Sequence, residues 1–337
     1  MSRSTVSAEW EIREGTAARS IFDADWDALA RQNPHATAFQ SAAWHLAWTG
    51  SVAAAEGKTP VVIRFLVDGK PAAAIALQYG DRDGVPVVSP LTSPWADYHD
   101  AVGMLAAEPV RHLVPQAVAA VARAHGGRVE LTEVIRGGLL DQVLPAQLVR
   151  HRGTPVFGID LTCAEHLRRV AETKEHVVKE RRLARIGEVT CRHFTAADEI
   201  ESRFDGLVGL HRRQWEGRSN AVAPFDNDVE RGFRALIRHM APAGQIVLTE
   251  FRVGGSLLAS YFGLRWKHWY GAYRTAYDAT FRRYSPGHLM LRAMIRDFAD
   301  TGVTILDLTR GSYPYKEGYA NRAGHNTTFE FHVQDIV

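Results

Sequence analysis

Hydrophobic and polar positions along this chain follow two periods, and the changes between them mark out its elements. Residues 26–30 and 42–48 carry apolar side chains at helical spacing, so two short amphipathic helices are predicted. Residues 60–67 are apolar and β-branched, Asp68-Gly69 is a turn pair, and 72–79 resume the strand pattern, which together read as a hairpin. A third strand is expected near 85–89, with Pro86 confining it to an edge or to the strand's first residues. A helix over 110–124 stops before Gly126-Gly127, and 128–132 form the strand after it.

The pattern restarts near residue 160. Thr162-Cys-Ala-Glu165 has capping-box spacing, and a long helix is expected from there to about 186, with Gly187 as its stop. Two more helices are read at 196–215 and 228–240. Residues 245–253 and 256–264 pair across Gly254-Gly255, and a turn near Lys267 sends 269–277 back as a third strand. Pro286 sits where a helix's first turn tolerates it, the helix runs to Ala299, and 303–308 is a buried strand. A strand, a helix and a strand over 269–308 imply a parallel pair with a crossover. Each half is therefore helices, an antiparallel meander, then helix and strand. The predicted fold is α/β (α+β) in two modules, 1–158 and 159–337, each a mixed, mainly antiparallel sheet flanked by helices.

Composition removes several classes of function. The 40 Lys+Arg against 38 Asp+Glu leave a formal charge of +2, which is no global signal for nucleic acid, and no DNA partner is expected. Between 165 and 194, eight basic residues face five glutamates, as on an exposed helix. Two cysteines, Cys163 and Cys191, build neither a disulfide framework nor a four-ligand zinc site. The first residues lack a secretory layout and no apolar run is long enough to span a bilayer, so a cytoplasmic protein without a membrane partner is expected. HExxH, His-x-His, GxSxG, Walker and GxGxxG patterns are all missing, and no metal ligand set is assigned.

Two segments carry candidate chemistry. Residues 277–288 leave a strand and enter a helix, with Arg282, Arg283, Ser285, Gly287 and His288 at the junction. A helix N-terminus offers unpaired N–H groups to an anion, so a phosphate site and an ordinary helix start both fit. The second segment, 305–318, places Asp307, Tyr315 and Lys316 near the carboxyl end of a strand, where ligands bind in α/β sheets. They supply a base, a hydroxyl and a cation, although a buried Asp307 simply paired with Arg310 or Lys316 is the alternative. On a strand of strictly alternating faces, Arg274 lies with Tyr270 and points into a cleft. His211-Arg212-Arg213 closes a helix, where cations offset the dipole or contact an anion.

Phe39-Gln40-Ser41 with Trp44, Ser93 with Asp97-Tyr98, the basic helix after 160, Tyr284-Ser285-Pro286-Gly287 with Leu289 and Leu291, Gly302, Asp307, Arg310-Gly311 and Tyr315-Lys316 form a pattern covering about 20–333. This pattern resembles the GNAT acyltransferase superfamily, and within it the two-module branch of CelD-like and FemA/FemX-like proteins. The resemblance implies two tandem GNAT-like modules, the first degenerate. It also implies an activated acyl donor held in a V-shaped opening between 269–277 and 303–308. The superfamily's Arg/Gln-x-x-Gly-x-Gly/Ala loop is incomplete here: residues 283–288 keep one glycine, and Pro286 removes an N–H. Acyl-CoA and aminoacyl-tRNA therefore both stand as donor co-substrates, with no tightly bound cofactor.

The expected reaction is amide formation by direct attack of a small-molecule amine. Asp307 would take the proton, Tyr315 would protonate the leaving group, and Lys316 would steady the oxyanion and compares with the late lysine of FemX-like enzymes. Arg282, Arg283, Ser285, Gly287 and His288 are assigned to donor phosphate. Tyr270, Arg274 and Arg213 are assigned to the acceptor, with Trp95, Asp97 and Tyr98 walling its pocket. The rival of another class is a catalytically inactive GNAT-like binding module.

Overall fold

The computed structural model describes residues 7–216 and 225–335. The chain forms two units, Met1–Pro155 with His325–Val337, and Val156–Gly324. The expected division at 158/159 falls three residues inside the second unit, and the last strand returns to the first.

In the first unit, β1 (Ala8–Glu14) is followed by α1 (Gly15–Arg19), α2 (Ala24–Gln32), α3 (Ala42–Thr49) and α4 (Val52–Ala55). The meander β2 (Thr59–Val67), β3 (Lys70–Arg82) and β4 (Val85–Pro90) comes next, then the short β5 (Val102–Gly103). After α5 (Val114–Ala124) come β6 (Arg128–Val134), α6 (Leu139–Val143) and β7 (Arg150–Asp160), which leads into the second unit. That unit holds α7 (Ala164–Ala171), α8 (Lys174–Leu183), β8 (Val189–Phe194), α9 (Ala197–Trp215) and α10 (Asn227–Met240). It continues with β9 (Ile246–Val253), β10 (Ser256–Trp266), β11 (Trp269–Tyr277), α11 (Pro286–Phe298), β12 (Ile305–Arg310) and α12 (Pro314–Tyr319). Finally β13 (Arg322–His332) closes the chain.

The sheet of the first unit has the order β1-β2-β3-β4-β6-β13, with β5 on β3, and that of the second β8-β9-β10-β11-β12-β7. Both follow one sequence of senses: three antiparallel pairings, one parallel pairing, then an antiparallel one. The parallel pairs, β4/β6 and β11/β12, are each bridged by a helical crossover, as the 269–308 pattern predicts. The duplication is thus a matter of topology.

Burial follows the sequence periods. Val61, Ile63 and Phe65 alternate inward on β2 and pack with Val114, Val118 and Val121 of α5, spaced by four and three residues. In the second unit Leu289, Met290 and Met294 of α11 pack on Tyr261, Tyr270 and Leu306. On the opposite side, Phe233 of α10 meets Phe262 edge-on at 5.0 Å, and Phe204 of α9 meets it at 5.9 Å. Each such aromatic pair adds about 1 kcal/mol beyond its buried area.

Several local expectations are corrected. Thr162 forms no capping box: its hydroxyl donates to Asp160 at 2.6 Å, and α7 starts at Cys163 without a side-chain cap. The single helix expected to 186 is two, broken where Thr173 Oγ1 donates to the Arg169 carbonyl at 3.3 Å and competes with the backbone ladder. β12 starts two residues later than its apolar run and continues to Arg310. The strands β7, β8 and β13 were not foreseen, because their half-exposed, charge-bearing sequences carry no clean alternation, and β1 was missed although Ala8, Trp10 and Ile12 alternate with Glu9, Glu11 and Arg13.

Asp100 ties the loop after β4 to α6. Its carboxylate accepts from Leu139 N at 3.0 Å, Leu140 N at 2.8 Å, Ala101 N at 2.9 Å and Asn33 Nδ2 at 2.9 Å, which supplies from a distance the cap that Gly138 lacks. Asp100→Ala strands these buried donors and is expected to cost about 3 kcal/mol, read as a lower urea midpoint. An unchanged midpoint would show that solvent satisfies them.

Candidate active site

The second unit opens at one rung. β11 and β12 pair in register at Trp269/Ile305, Tyr270/Leu306 and Gly271/Asp307, and no further. Beyond that rung each strand carries a bulge against its other neighbour. On β11, Ala272 and Tyr273 face a single residue of β10, because Phe262 pairs with Arg274 and Leu264 with Gly271. On β12, Leu308 and Thr309 face a single residue of β7, because Asp307 pairs with Gly158 and Arg310 with Val156. A bulge bends its strand and increases the local twist, so two bulges at the same level drive the parallel strands apart. The result is a wedge whose floor is Gly271/Asp307.

Side chains hold that floor. The Trp269 indole lies across Gly271, where a Cβ would come within 2.2 Å of the ring, and its Nε1 donates to Asp307 Oδ2 at 2.9 Å. The other carboxylate oxygen accepts from Thr309 N at 2.6 Å. Thr309 has φ of +61°, a left-handed conformation that a β-branched residue adopts only when its surroundings impose it. Lys316, buried on α12, adds to the restraint: its ammonium donates to the carbonyls of Thr309 at 3.2 Å and Arg310 at 2.6 Å. Asp307 and Lys316 therefore stand where the sequence put them, both engaged in shaping the end of β12.

Tyr315, one residue earlier on α12, is half-buried and packs against the core that contains Tyr261 of β10. Burial and the neighbouring tyrosines push its ionisation well above the ordinary tyrosine value, so it remains a neutral donor at physiological pH. The His288 ring lies 6.1 Å from Tyr315. Burial, then Lys179, lowers the pKa of His288, and its Nδ1 has no partner among the described residues.

The start of α11 forms the same side of the wedge. Ser285, at φ +54°, caps the helix, and the amides of His288 and Leu289 donate back to its carbonyl at 3.0 and 3.1 Å. Of the two amides expected to hold phosphate, that of His288 is thus already engaged. Space around Gly287 is open. Arg282 and Arg283 are exposed, and no ion pair among the described residues includes either; Arg283 lies over the Tyr284 ring at 4.7 Å. Lys179 of α8 reaches the junction, donating to Ser285 Oγ at 2.8 Å while paired with Glu175. The sequence read the helix around Lys179 as merely exposed, and a contact spanning 106 residues leaves no local signal.

The acceptor assignments separate. The β11 bulge overturns the expected face of Arg274: Tyr270 packs on Phe298 of α11 at 4.7 Å, whereas Arg274 lies on the opposite side, over Phe225 at 5.8 Å and Phe233 at 5.6 Å. Tyr270 is fully enclosed in the core, its ring over Gly263. Arg213 is exposed in the last turn of α9. Trp95, Asp97 and Tyr98 are held within the first unit. Trp95 stacks on Trp48 at 5.2 Å, the Asp97 carbonyl accepts from Asn326, and that of Tyr98 accepts from Gln40.

One group outside the wedge has metal-binding residue types. Donor atoms of Cys191, His193 and Asp297 lie within 4.8 Å of one another. His193 is already hydrogen-bonded on both sides, to Thr249 at 2.9 Å and Asp297 at 3.2 Å, and burial pushes the Cys191 thiol up to about 12. The arrangement fits a protonated thiol beside a hydrogen-bonded His–Asp pair.

Residues 174–317 match the family model described as an acetyltransferase (GNAT) domain. No curated protein is similar to the chain in sequence. Among solved structures, FemX is similar at 10% identity over 91% of this chain and 95% of that one, with a TM-score of 0.64. The C-terminal domain of a putative lysylphosphatidylglycerol synthetase from Agrobacterium fabrum is similar at 14% identity over 78% and 82%, TM-score 0.54. A tandem GNAT protein from the clavulanic acid biosynthesis pathway follows at 12% over 96% and 99%, TM-score 0.51. At these identities the likeness is one of fold.

The floor is expected to behave as one unit. Gly271→Ala displaces the Trp269 ring and should cost about 2 kcal/mol in urea unfolding, but much less in a Trp269→Ala background, where the ring is gone. Equal costs in the two backgrounds would refute the coupling.

Proposed function

We propose that this chain, whose residues 174–317 form a GNAT acetyltransferase domain, transfers an acyl group from an activated donor to an amine. The observation that carries the reading is the divergence of β11 and β12 beyond Gly271/Asp307. It leaves facing strand edges that can receive a donor's extended arm. The helix start at Ser285–Gly287, with Arg282, Arg283 and Lys179 around it, suits the anionic end of that donor.

In the proposed reaction the amine nitrogen attacks the acyl carbonyl carbon, and the tetrahedral intermediate expels the thiolate of a coenzyme A thioester. Tyr315, kept neutral by burial, gives the departing sulfur its proton. The amine's proton leaves through water and restores the Tyr315 hydroxyl, and the products are an amide and a free thiol. Asp307 acts as a positioning residue, since both its oxygens already accept hydrogen bonds. Lys316 holds a positive charge at the end of β12 while fixing the carbonyls there.

A second donor has its own support. Pro286 takes one N–H out of the helix start, and FemX shares the fold across both units, so an aminoacyl-tRNA is the alternative source of the acyl group. Calorimetry with acetyl-CoA and with charged tRNA, run in parallel, separates the two. Binding of the thioester alone supports the first donor, and RNase-sensitive activity supports the second. Binding of neither refutes acyl transfer and favours an inactive binding module. With the active donor, Tyr315→Phe is expected to lower kcat about 100-fold and leave KM nearly unchanged. An unaltered kcat would remove Tyr315 from the chemistry.

A further inference from the structure

Arg274 is a buried cation of the second unit that no carboxylate among the described residues compensates. It is 9% exposed and stands on the diverging part of β11. Its guanidinium lies 5.6–5.8 Å from the ring centres of Phe225, Phe233 and Tyr273. No ion pair among the described residues includes it, and its Nε is buried without a hydrogen-bond partner there. A guanidinium taken out of water and left unpaired is expensive, and aromatic faces repay only part of that cost. A buried arginine with a free fork is therefore built to receive an anion, and the planar fork matches a carboxylate.

The backbone supplies the second argument. Without the bulge at Ala272–Tyr273, Arg274 would share the side of Tyr270 and α11, where the donor's anionic end is assigned. One added residue turns it to the side of α9 and α10, on the opposite face of the sheet from Tyr261 and Tyr315. His211 lies on this second side, 4.9 Å from Phe225. It is held neutral, its pKa lowered to about 4 by burial and then by Arg274, and its Nδ1 has no partner among the described residues. A guanidinium fork and a neutral imidazole thus share one aromatic-lined face of the sheet beside the diverging end of β11. That pair suits a small molecule carrying both a carboxylate and an amine.

We propose that the acceptor is an amino acid whose carboxylate is held by Arg274 on the α9/α10 side of the wedge, with its amine directed at the acyl carbon. This assignment rests on the acyl-transfer reading for the role of the amine, but the carboxylate site can be tested without turnover.

The experiment is equilibrium binding to the full chain, by calorimetry and thermal shift. Its probes are the twenty L-amino acids, their carboxamides, and O-phosphoethanolamine, against wild type, Arg274→Gln and Arg274→Lys. At least one amino acid should bind wild type at least ten times more tightly than its carboxamide. Arg274→Gln should abolish that preference, and Arg274→Lys, which keeps the charge but not the fork, should weaken it several-fold. All three proteins should bind the donor equally. Should Arg274→Gln fail to fold, the loss in Arg274→Lys decides the matter. Three results overturn the assignment: no preference for the carboxylate in wild type, the same preference in the folded variants, or tighter binding of O-phosphoethanolamine than of every amino acid. If wild type binds an amino acid through Arg274 but neither donor, acyl transfer fails while the carboxylate site stands. Donor binding without amino-acid binding sinks this inference alone.

Discussion

The proposed site in the second unit depends on one rung of parallel sheet being the last. Gly271 and Asp307 pair, and the next residues of each strand bulge against different neighbours. A sheet resists opening because each rung exchanges paired backbone groups for exposed ones. The opening is kept here by covalent count, one surplus residue on each strand, and by side chains that satisfy the backbone so released. Asp307 receives the Thr309 amide, and Lys316 takes the carbonyls of Thr309 and Arg310. The acidic and basic side chains that sequence reasoning casts as catalysts thus fasten the end of β12. Their chemistry suits the task, because charge-assisted hydrogen bonds are about twice as strong as neutral ones.

The first unit shows what the same topology becomes when the gap is closed. Its parallel pair, β4 and β6, meets at Val88/Val129. Past that point His99 pairs with Val134 in parallel, exchanging backbone hydrogen bonds with Glu133 and Ile135 at 2.8 and 3.0 Å. Ser93 and Thr132 join their hydroxyls at 3.1 Å. The loop after β4 therefore supplies the missing strand edge from its own backbone. Ser93, Asp97 and Tyr98, which contribute to the family resemblance, belong to this filling, and their pattern reports a structural requirement of the first unit.

Periodicity made the two meanders, the crossover over 269–308 and the helix beginning at Pro286 legible in the sequence, because each buries one apolar face. The candidate residues near 307 and 315 were also visible, since charged or hydroxyl groups beside a buried strand need a reason. Register was not visible. A bulge is a count of residues against a neighbouring strand, and nothing in Trp269–Tyr277 read alone shows that Ala272 and Tyr273 share one partner position. That single omission put Arg274 on the wrong side of the sheet. The junction of Lys179 with Ser285 was hidden for a related reason, since helices α8 and α11 meet through the fold and not through spacing. Edge strands such as β8, with Arg192 and His193 among its six residues, read as polar connection until pairing is known.

The two sides of the wedge differ in electrostatic character, and the difference follows from burial. Towards α11, Tyr315, Tyr261 and His288 are all pushed toward their neutral forms by the loss of water. Neutral hydrogen-bonding groups there suit an uncharged acyl carbonyl and a leaving atom that must collect a proton. Towards α9 and α10 lies the Arg274 guanidinium, with aromatic faces for neighbours. A cation on one side and neutral donors on the other give the opening a direction. In the proposed reaction the first side receives an anionic acceptor, and the second holds the carbonyl that its amine attacks. The strands between them, parted by two surplus residues, are where the proposal brings the two reactants together.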